Sequence, residues 1–586
     1  MASIKSTLAA TAVLACAATT FGGDCPVSDT GCNPSITMTF LGRSVNLGYD
    51  VGATEISAFD PVNERIFSVN GLTGSVDVWD FSMPGMPIRT HQISLAAYGV
   101  GANSVAYSNG FLAAAVEANV QQDNGKVVFI DATTLEIVSA VEAGALPDMI
   151  CFTPDGTKVL AANEGQPSDD YTVNPNGSVT IVDVSGGVAS VTQANVRTID
   201  FSAIVAAGVD PEIIAIGPSG SLAADLEPEY IVVSADSATA YVACQESNAL
   251  GTLDLASGTF TALEWLGVKD HSLAGNGLDP SDQDGGNNIA NWPVYGMYQP
   301  DALAIVTVGG TPYILGANEG DVREYGAYVE NARVSQLALD PVAFPNAAAL
   351  KANTAMGRLN VTRSRGDIDG DNDYDALYAF GARSLTVWTP DGTAVWDSGD
   401  LFEQVTAAVY PTRFNASNTN NTRDNRSDDK GPEPEAVTTG EIAGRTYAFV
   451  GLERVGGLFA FDVTDPTSPE YQLYVNSRDF SAATNTAAAG DLGPEGVLFI
   501  PAAISPNGAD LVVVSNEISG TLSVWQVDRV CDAAGDLNAD CAVDASDLAI
   551  MLGAWGACGK GACPADLDAS GAVDASDLAI LLGNWG

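Results

Sequence analysis

Short apolar runs separated by turn residues recur along most of this chain. Residues 147–184 show the pattern most clearly, with PDMICFTPDGTKVLAANEG followed by a polar insertion and then by GSVTIVDV. Proline and an acidic residue open an apolar run, PDG turns the chain, and a second run ends in Asn-Glu. Runs of this length, rich in Val, Ile and Phe and bounded by turn residues, predict antiparallel strands.

The unit occurs seven times, with copies that begin at Thr54, Asn103, Pro147, Pro228, Pro300, Pro434 and Pro494. A unit of three or four strands cannot bury its own faces. Its repetition therefore predicts an all-β fold, a seven-bladed β-propeller over residues 35–528. We expect a strand near residues 36–40 to close the ring against the last blade, because closure removes exposed sheet edges. The alternative is a β-sandwich or several small β domains.

Strand direction places the long loops on one face of this propeller. If the first strand of each unit runs away from a face, the second returns to it, so the proline-acid starts and the Asn-Glu ends share that face. The insertions assigned there are residues 165–176, 202–227, 266–299, 320–382, 400–433 and 479–493. Long loops on a rigid scaffold commonly carry binding and catalysis, so this is the candidate functional face.

Acidic residues collect on the same face. First strands begin with Glu55, Asp148, Glu229, Asp301, Glu435 and Glu495, and second strands end with Glu117, Glu164, Glu246, Glu319, Glu453 and Glu517. Converging carboxylates repel one another, and a hard divalent cation relieves that repulsion. The alternative is that these residues cap strands and accept hydrogen bonds from backbone amides. Arg323, Lys430 and Arg454 are candidates to pair with the acids or to hold an anionic ligand.

Composition removes several function classes. The 586 residues include 73 acidic and 24 basic side chains, a formal net charge of −49. This charge repels phosphate backbones and anionic membrane surfaces, so we expect no nucleic-acid partner. His91 and His271 are the only histidines and no GxSxG motif occurs. A histidine-rich zinc site and a serine-hydrolase elbow are therefore excluded, whereas calcium held by carboxylates is not.

Residues 1–23 are typical of an export signal. Lys5 precedes an apolar stretch at residues 8–18 that is too short to span a bilayer, and no later segment predicts a transmembrane helix. We therefore expect a secreted, extracellular or cell-surface protein. Signal removal leaves an even number of cysteines, which favours disulfides. Cys25 and Cys32 are the local pair, Cys151 and Cys244 are expected to be buried thiols, and the C-terminal cluster is Cys531, Cys541, Cys558 and Cys563.

An acidic loop lies inside the longest insertion, in the sequence GDIDGDNDYDALYAFG. Its alternating carboxylates belong to Asp367, Asp369, Asp371, Asp373 and Asp375. A tight loop turns several such carboxylates toward one ion, so we expect calcium in the propeller here. The loop is similar to the calcium loops of integrin-type propeller repeats. The alternative is a solvated acidic loop.

Two C-terminal segments, DLNADCAVDASDLAIMLGAWG and DLDASGAVDASDLAILLGNWG, repeat at a spacing of 30 residues. Each is an acidic loop followed by a short apolar helix. The spacing of oxygen ligands predicts two calcium ions, held by Asp536, Asn538, Asp540, Ala542, Asp544 and Asp547, and by Asp566, Asp568, Ser570, Ala572, Asp574 and Asp577. The pair resembles a dockerin, which implies a small α-helical module over residues 531–586 and a cohesin-like or cell-surface partner. Cys541 at the turn-glycine position and Ser570 at a carboxylate position depart from that pattern.

The whole propeller region is similar to the exported bacterial proteins of the choice-of-anchor I family. The resemblance covers roughly residues 35–528 and rests on the 147–184 stretch and on KDHSL, GANEGDVREYG, RSDDKGPEPEAV and FVGLERVGG. It implies a propeller and export, and some family members are described as alkaline-phosphatase-like. The expected function is a secreted or cell-surface calcium-binding propeller with a binding or surface role. The alternative is a metal-dependent extracellular hydrolase of phosphate esters, alkaline-phosphatase-like or phytase-like.

Overall fold

The structure, a computed structural model, describes residues 35–530, 534–538, 543–559 and 563–585. The predicted export signal at residues 1–23 lies outside these residues. So do Cys25, Cys32, Cys531, Asp540, Cys541 and Ala542. Within the described chain, the repeated units form seven four-stranded antiparallel sheets, numbered 1 to 7 below.

Each sheet is written from its first strand to its fourth. Sheets 1 to 3 consist of Ser57–Asp60, Arg65–Asn70, Ser75–Asp80 and Ile88–Ser94; Gly101–Ser108, Phe111–Glu117, Asn124–Asp131 and Ile137–Ala145; and Pro147–Phe152, Lys158–Asn163, Ser178–Asp183 and Val196–Asp200. Sheets 4 and 5 consist of Pro228–Val233, Thr239–Cys244, Ala249–Asp254 and Thr259–Trp265; and Leu303–Val308, Thr311–Ala317, Leu385–Trp388 and Ala394–Asp397. Sheets 6 and 7 consist of Pro434–Ile442, Arg445–Leu452, Leu458–Asp462 and Glu470–Val475; and Pro494–Ile500, Asp510–Asn516, Thr521–Arg529 and Ile36–Arg43.

The sheets form a closed ring. Each first strand contacts the first strand of the next sheet, and that of sheet 7 contacts that of sheet 1. A separate cluster of buried apolar side chains lies between each pair of neighbouring sheets, including the pair formed by sheets 7 and 1. Sheets packed face to face around a central channel form a β-propeller. The first strands of the sheets line that channel.

The N-terminal strand Ile36–Arg43 completes sheet 7, where it pairs antiparallel with Thr521–Arg529. The predicted closure near residues 36–40 is therefore observed. Ile36 is fully buried between sheets 6 and 7, and the ring of Phe40 lies edge-on to Trp525 with 5.1 Å between centroids. Closure by both ends of the repeat region leaves no unpaired edge between the first and last units.

The long insertions lie on the side of the ring where first strands begin. Those before and within sheet 5 build a five-stranded sheet from Val268–Asp270, Tyr295–Met297, Tyr378–Ala379, Asn360–Thr362 and Asn331–Arg333. Glu324–Tyr325 and Tyr328–Val329 form a small hairpin. The described α-helices are Ser202–Ala207, Leu222–Asp225, Ala347–Leu350, Leu401–Val409, Ala545–Gly553 and Ala575–Gly583, and a short two-stranded ladder joins Gly556–Ala557 to Ala572–Val573. In the described chain, none of these helices has the length and apolar character that crossing a membrane requires.

The cysteines divide into bonded and free. Cys558 and Cys563 of the C-terminal cluster form a disulfide. Cys151 and Cys244 are free thiols, as predicted; Cys244 is fully buried, whereas Cys151, on the first strand of sheet 3, is only partly buried. Burial raises the pKa of Cys151 to about 12, so its thiol stays protonated at neutral pH.

We expect Ile36→Ala to lower the free energy of unfolding by about 2–5 kcal/mol, because it leaves a cavity between sheets 6 and 7. Thr37→Ala is the matched control, since Thr37 follows in the same strand and points to solvent; an exposed substitution changes stability by about 0.5 kcal/mol or less. Denaturant unfolding measures both. Equal midpoints for the two variants would show that the strand does not hold the ring closed.

Candidate functional site

The acidic residues at the strand starts sit in β-bulges. In sheet 4, Pro228 pairs with Cys244 and Tyr230 with Ala243, so Glu229 is the extra residue. Sheet 7 repeats this arrangement, with Glu495 left between paired neighbours. A bulge breaks the alternation of a strand and turns the extra side chain in a new direction. Here that direction is the channel.

The same position recurs in every sheet. In sheet 1, Val69 bonds to the backbone of both Glu55 and Ile56, and in sheet 5 Ala317 bonds to both Asp301 and Ala302, so two residues again oppose one. The seven positions are Glu55, Asn103, Asp148, Glu229, Asp301, Glu435 and Glu495. Sequence reasoning found the six acids and missed Asn103, because the second unit has no proline-acid start.

All seven bulge residues line one central cavity of about 880 Å³. Glu164 and Glu319, which follow second strands, line it as well, together with Lys430 and Arg454. The structure therefore brings together most of the acids that the sequence assigned to this face. Further polar residues of the cavity were not predicted, among them Gln121, Gln166, Gln245 and Asp321. The glutamines have a positioning role: Gln166 donates to Glu164 (2.6 Å) and Gln245 to Glu319 (3.0 Å).

Two groups of three carboxylates meet in this cavity. Oxygens of Asp148, Glu164 and Glu229, from sheets 3 and 4, lie within 4.8 Å of one another. Oxygens of Asp301, Glu319 and Glu435, from sheets 5 and 6, do the same. Each group combines bulge residues of adjacent sheets with the acid that follows a second strand, so the ring geometry itself creates it. Oxygen donors at this spacing suit a hard divalent cation.

Burial and mutual repulsion disfavour ionisation of these carboxyl groups. Burial, with Glu517 and Asp148 nearby, raises the pKa of Glu55 to about 8. Burial, with Glu117, raises that of Asp148 to about 6. Burial and neighbouring carboxylates also raise the pKa values of Glu164, Glu229, Asp301, Glu435 and Glu495 well above their ordinary range. Oε2 of Glu435 is buried and has no hydrogen-bond partner in the described chain.

The cations of the cavity are already engaged. The fully buried Glu433 accepts hydrogen bonds from Arg426 Nη2 at 2.6 Å and from Arg454 Nε at 2.8 Å, and Lys430 Nζ lies 3.3 Å away. Burial alone raises the pKa of Glu433, but these three cations hold it below its usual range. Lys430 also binds Glu319, and Arg454 Nη1 lies 2.7 Å from Glu453.

Five predicted face residues lie apart from the cavity lining, namely Glu117, Glu246, Glu453, Glu517 and Arg323. Arg323 is buried beside Glu227 and Glu246, at 3.5 Å and 3.9 Å, and donates to the carbonyl of Asp225 at 2.6 Å. Glu453 is buried where Asn418 donates to it, and Glu517 lies at the margin near Glu55. Glu227 was not among the predicted partners of Arg323, because it lies just before a repeat unit.

The acidic loop at residues 367–375 is exposed and folds onto its own backbone. Asp367 accepts hydrogen bonds from the amides of Gly370, Asp371 and Asn372 at 2.8–3.2 Å. Asp375 accepts from Ile368 at 2.8 Å, and Asp371 from the amide of Asp373. Repulsion from Asp371 raises the pKa of Asp369. Desolvation, together with repulsion from Asp371, raises the pKa of Asp373. The loop thus concentrates charge without a balancing cation among its described contacts.

The last acidic residue of each C-terminal loop makes the same set of backbone hydrogen bonds. The side chain of Asp547 is buried and accepts from the amides of Leu537 (2.6 Å), Asn538 (3.2 Å) and Asp544 (2.9 Å). Asp577 makes the matching bonds to Leu567, Asp568 and Asp574 at 2.6–3.1 Å.

Asp544 and Asp574 cap the helices that follow these loops, accepting from Ser546 and Ser576. Asp566 accepts from Ser570 and Gly571, and Ser570 Oγ donates to the carbonyl of Ala572. Asp536 and Asn538 belong to the described residues, and Asp540 and Ala542 do not. The candidate ligands of the second loop thus lie around one short turn.

Comparison with known proteins identifies relatives. A sequence model of the choice-of-anchor I domain matches residues 55–466. Gigasin-3a of Magallana gigas is 29% identical over 191 residues, which cover 30% of this chain and 67% of that protein. The mesenchyme-specific cell surface glycoprotein of Strongylocentrotus purpuratus is 30% identical over 127 residues, 19% of this chain and 16% of the length of that protein.

Solved structures match this chain at low identity and with low TM-scores. Kuenenia stuttgartiensis hydrazine synthase is 12% identical with a TM-score of 0.40, covering 83% of this chain and 98% of that chain. The β-propeller domain of Cps50 (Swd1) from Myceliophteria thermophila is 10% identical with a TM-score of 0.39, covering 84% and 100%.

The raised pKa values predict an unusual pH dependence of stability. Glu55, at about 8, and Asp148, at about 6, keep protons in the folded state that the unfolded chain releases near pH 4 to 4.5. Their contribution to stability is therefore highest below that range and is lost as the pH rises toward 8. In EDTA, the melting temperature is expected to fall between pH 5 and pH 8, and less so for Glu55→Gln.

Asp155→Asn is the control for this experiment. Asp155 lies in an exposed turn at the other end of sheet 3, where the hydroxyl of Thr153 and the amide of Thr157 hold its pKa at about 2. It is ionised throughout the tested range, so its loss should leave the slope unchanged. A wild-type slope in Glu55→Gln would show that this carboxyl group does not stay protonated.

Proposed function

We propose that this chain, which belongs to the choice-of-anchor I domain family, is an exported surface protein whose propeller channel binds divalent cations, calcium foremost. The observation that carries the proposal is the pair of carboxylate groups in the channel, Asp148 with Glu164 and Glu229, and Asp301 with Glu319 and Glu435. Of these six carboxylates only Glu319 forms an ion pair with a described residue, Lys430, and buried carboxylates without such a partner are stabilised either by protons or by a metal ion. At neutral pH in a calcium-containing medium, calcium is the favoured partner.

In this proposal the seven sheets are the seven blades of one domain over residues 35–528. The channel then opens to the face that carries the long insertions, where a ligand reaches the bound ion. The names of the relatives support a surface role, since one is a cell surface glycoprotein. We infer that the protein binds an extracellular partner or ligand through this face.

A metal-dependent hydrolase of phosphate esters is the second candidate function. The observation in its favour is that Lys430 and Arg454 line the cavity beside the carboxylates, where they can offset the charge of a phosphoryl group. Both are held by Glu319, Glu433 and Glu453, however, so a substrate phosphate has to compete with carboxylates for them. The geometry therefore supports binding over hydrolysis.

We also propose that residues 531–586 are a dockerin-like module that binds two calcium ions and a cohesin-like or cell-surface partner. The matching hydrogen bonds of Asp547 and Asp577 support two equivalent loops. Each loop precedes a helix of nine residues with an acidic cap. Such a module would attach the propeller to a larger assembly.

Glu229→Gln and Glu435→Gln should each lower the calcium content of the channel by about one ion, because each removes one charge from a carboxylate group without changing its shape. Glu441→Gln is the matched control, since Glu441 is exposed at the far end of the strand that carries Glu435. Metal analysis after dialysis measures the content, and a phosphoester panel with and without chelator measures turnover. Wild-type calcium content in both channel variants would reject the site, and chelator-sensitive turnover lost with the metal would favour the hydrolase.

In the C-terminal module, Asp536→Asn and Asp566→Asn should each remove about one bound calcium, and the double variant about two. Each residue is the first ligand of its own loop. Because the two loops are separate sites, the substitutions act independently. Calorimetric titration of the full chain counts the ions. If the double variant binds as many ions as the wild type, the loop assignment is wrong.

A further inference from the structure

A second group of carboxylates lies in the insertions, outside the channel. Oxygens of Asp279, Asp284 and Asp424 lie within 4.8 Å of one another, and Asp279 and Asp424 are buried. We call this group the insertion cluster. None of its three residues lines the central cavity.

The cluster joins two segments that are distant in sequence. Asp279 and Asp284 belong to the loop between Val268–Asp270 and Tyr295–Met297, whereas Asp424 follows the helix Leu401–Val409. Glu403 on that helix accepts from the amide of Asp279 at 3.0 Å. Arg383 crosslinks the same segments, donating to the carbonyl of Asp279 at 2.9 Å and to Glu403 at 2.6 Å.

Not every carboxylate oxygen of the insertion cluster accepts a hydrogen bond from a described residue. Asp279 accepts from Ser281 and Asn288, Asp284 from Gly286, and Oδ1 of Asp424 from Ser427. Oδ2 of Asp424, which belongs to a carboxylate only 3% exposed, has no partner in the described chain.

Two side-chain amide oxygens on the same two segments also lack a hydrogen-bond partner in the described chain. Oδ1 of Asn287 and Oδ1 of Asn415 are buried without partners in the described chain. Both amides are held in orientation by their nitrogens, since Asn287 donates to Pro411 and Asn415 to Glu403 and Ser427. These two oxygens and Oδ2 of Asp424 are all acceptors, and unsatisfied oxygen acceptors suit a cation.

No described cation neutralises the cluster. Within 4.0 Å, none of its carboxylates forms an ion pair with a described residue. Arg383 is bound to Glu403, and Arg423 is exposed and donates to the carbonyl of Gly285. Burial, with Glu403 and Asp424, raises the pKa of Asp279 to about 8. The three carboxylates therefore lie together at a cost that a bound divalent ion would remove.

We propose that Asp279, Asp284 and Asp424 bind one calcium ion, with amide oxygens of Asn287 and Asn415 and water completing its shell. Calcium fits because it takes six to eight oxygen ligands in flexible geometry, as loops provide. The ion clamps the 266–299 insertion to the 400–433 insertion, and so orders the loop-rich face above the channel. The site is separate from the channel and stands even if the channel binds no metal.

The test is hydrogen exchange of the full chain in EDTA and in calcium chloride. If calcium binds the closed loops, opening of residues 277–292 and 412–428 should slow by about the ratio of free calcium to its Kd, roughly 100-fold at 100 times Kd. Asp279→Asn with Asp424→Asn should abolish this difference and remove one calcium from the stoichiometry. The control, Asp282→Asn, lies in the same loop but pairs with Arg358 at 2.9 Å, and it should keep both.

If the double variant does not fold, the comparison of wild-type hydrogen exchange in EDTA and in calcium chloride tests the proposal by itself. Exchange in these two segments that is the same in EDTA and in calcium would overturn the proposal. So would a folded double variant that keeps the wild-type calcium count. Glu229→Gln with Glu435→Gln serves as the second reference, because loss of channel metal should leave the exchange of these two segments calcium-dependent.

Discussion

The bulge at the start of each first strand is the feature on which the candidate site depends. Along a regular strand, successive side chains point alternately to the two faces of the sheet, and in this ring both faces pack against neighbouring sheets. The extra residue breaks that alternation, so apolar side chains continue to fill the space between sheets while the acid turns inward. Without the bulge at Glu229, either the acid would enter the apolar core or Ile231 and Val233 would leave it. The ring thus places six acids and Asn103 around one axis while keeping seven intact apolar interfaces.

The electrostatics of the channel differ from one part of its wall to another. Around Glu433, three cations are shared among four carboxylates, those of Glu433, Glu319, Glu453 and Asp429, so most of the negative charge is balanced by the protein itself. Around Glu229 and Glu435 there are more carboxylates than cations, so charge neutrality requires protons or a metal ion from solution. These two solutions compete, because a bound divalent cation favours the ionised form that burial disfavours. Metal affinity in the channel is therefore tied to pH: protons displace the ion as the pH falls.

The repeat units could be predicted from the sequence because their pattern is local. Proline, acid, two apolar runs and a turn recur within about 30 residues, so strand order and the shared face follow from alternation alone. The bulges were not predictable, since register depends on which residues of the partner strand pair, as Pro494 with Asn516 shows. Asn103 was missed for a related reason, because only its position in the ring, and no local sequence pattern, makes it equivalent to Glu55. The insertion cluster depends on contacts between segments more than 100 residues apart, and no sequence pattern links Asp279 to Asp424.

Two kinds of acidic group therefore coexist in one chain. Those of the channel arise from the repeat and are fixed by sheets packed into a ring, so their spacing varies little whether or not an ion is bound. Those of the insertions are carried by loops, which gain order only through contacts such as the bond from Asp279 to Glu403. A cation that binds in the channel finds its ligands already in place. For a cation that binds in the insertions, part of the binding free energy is used to order the loops. The loop sites should accordingly lose calcium first as its concentration falls, and the face would loosen while the propeller beneath it stays intact.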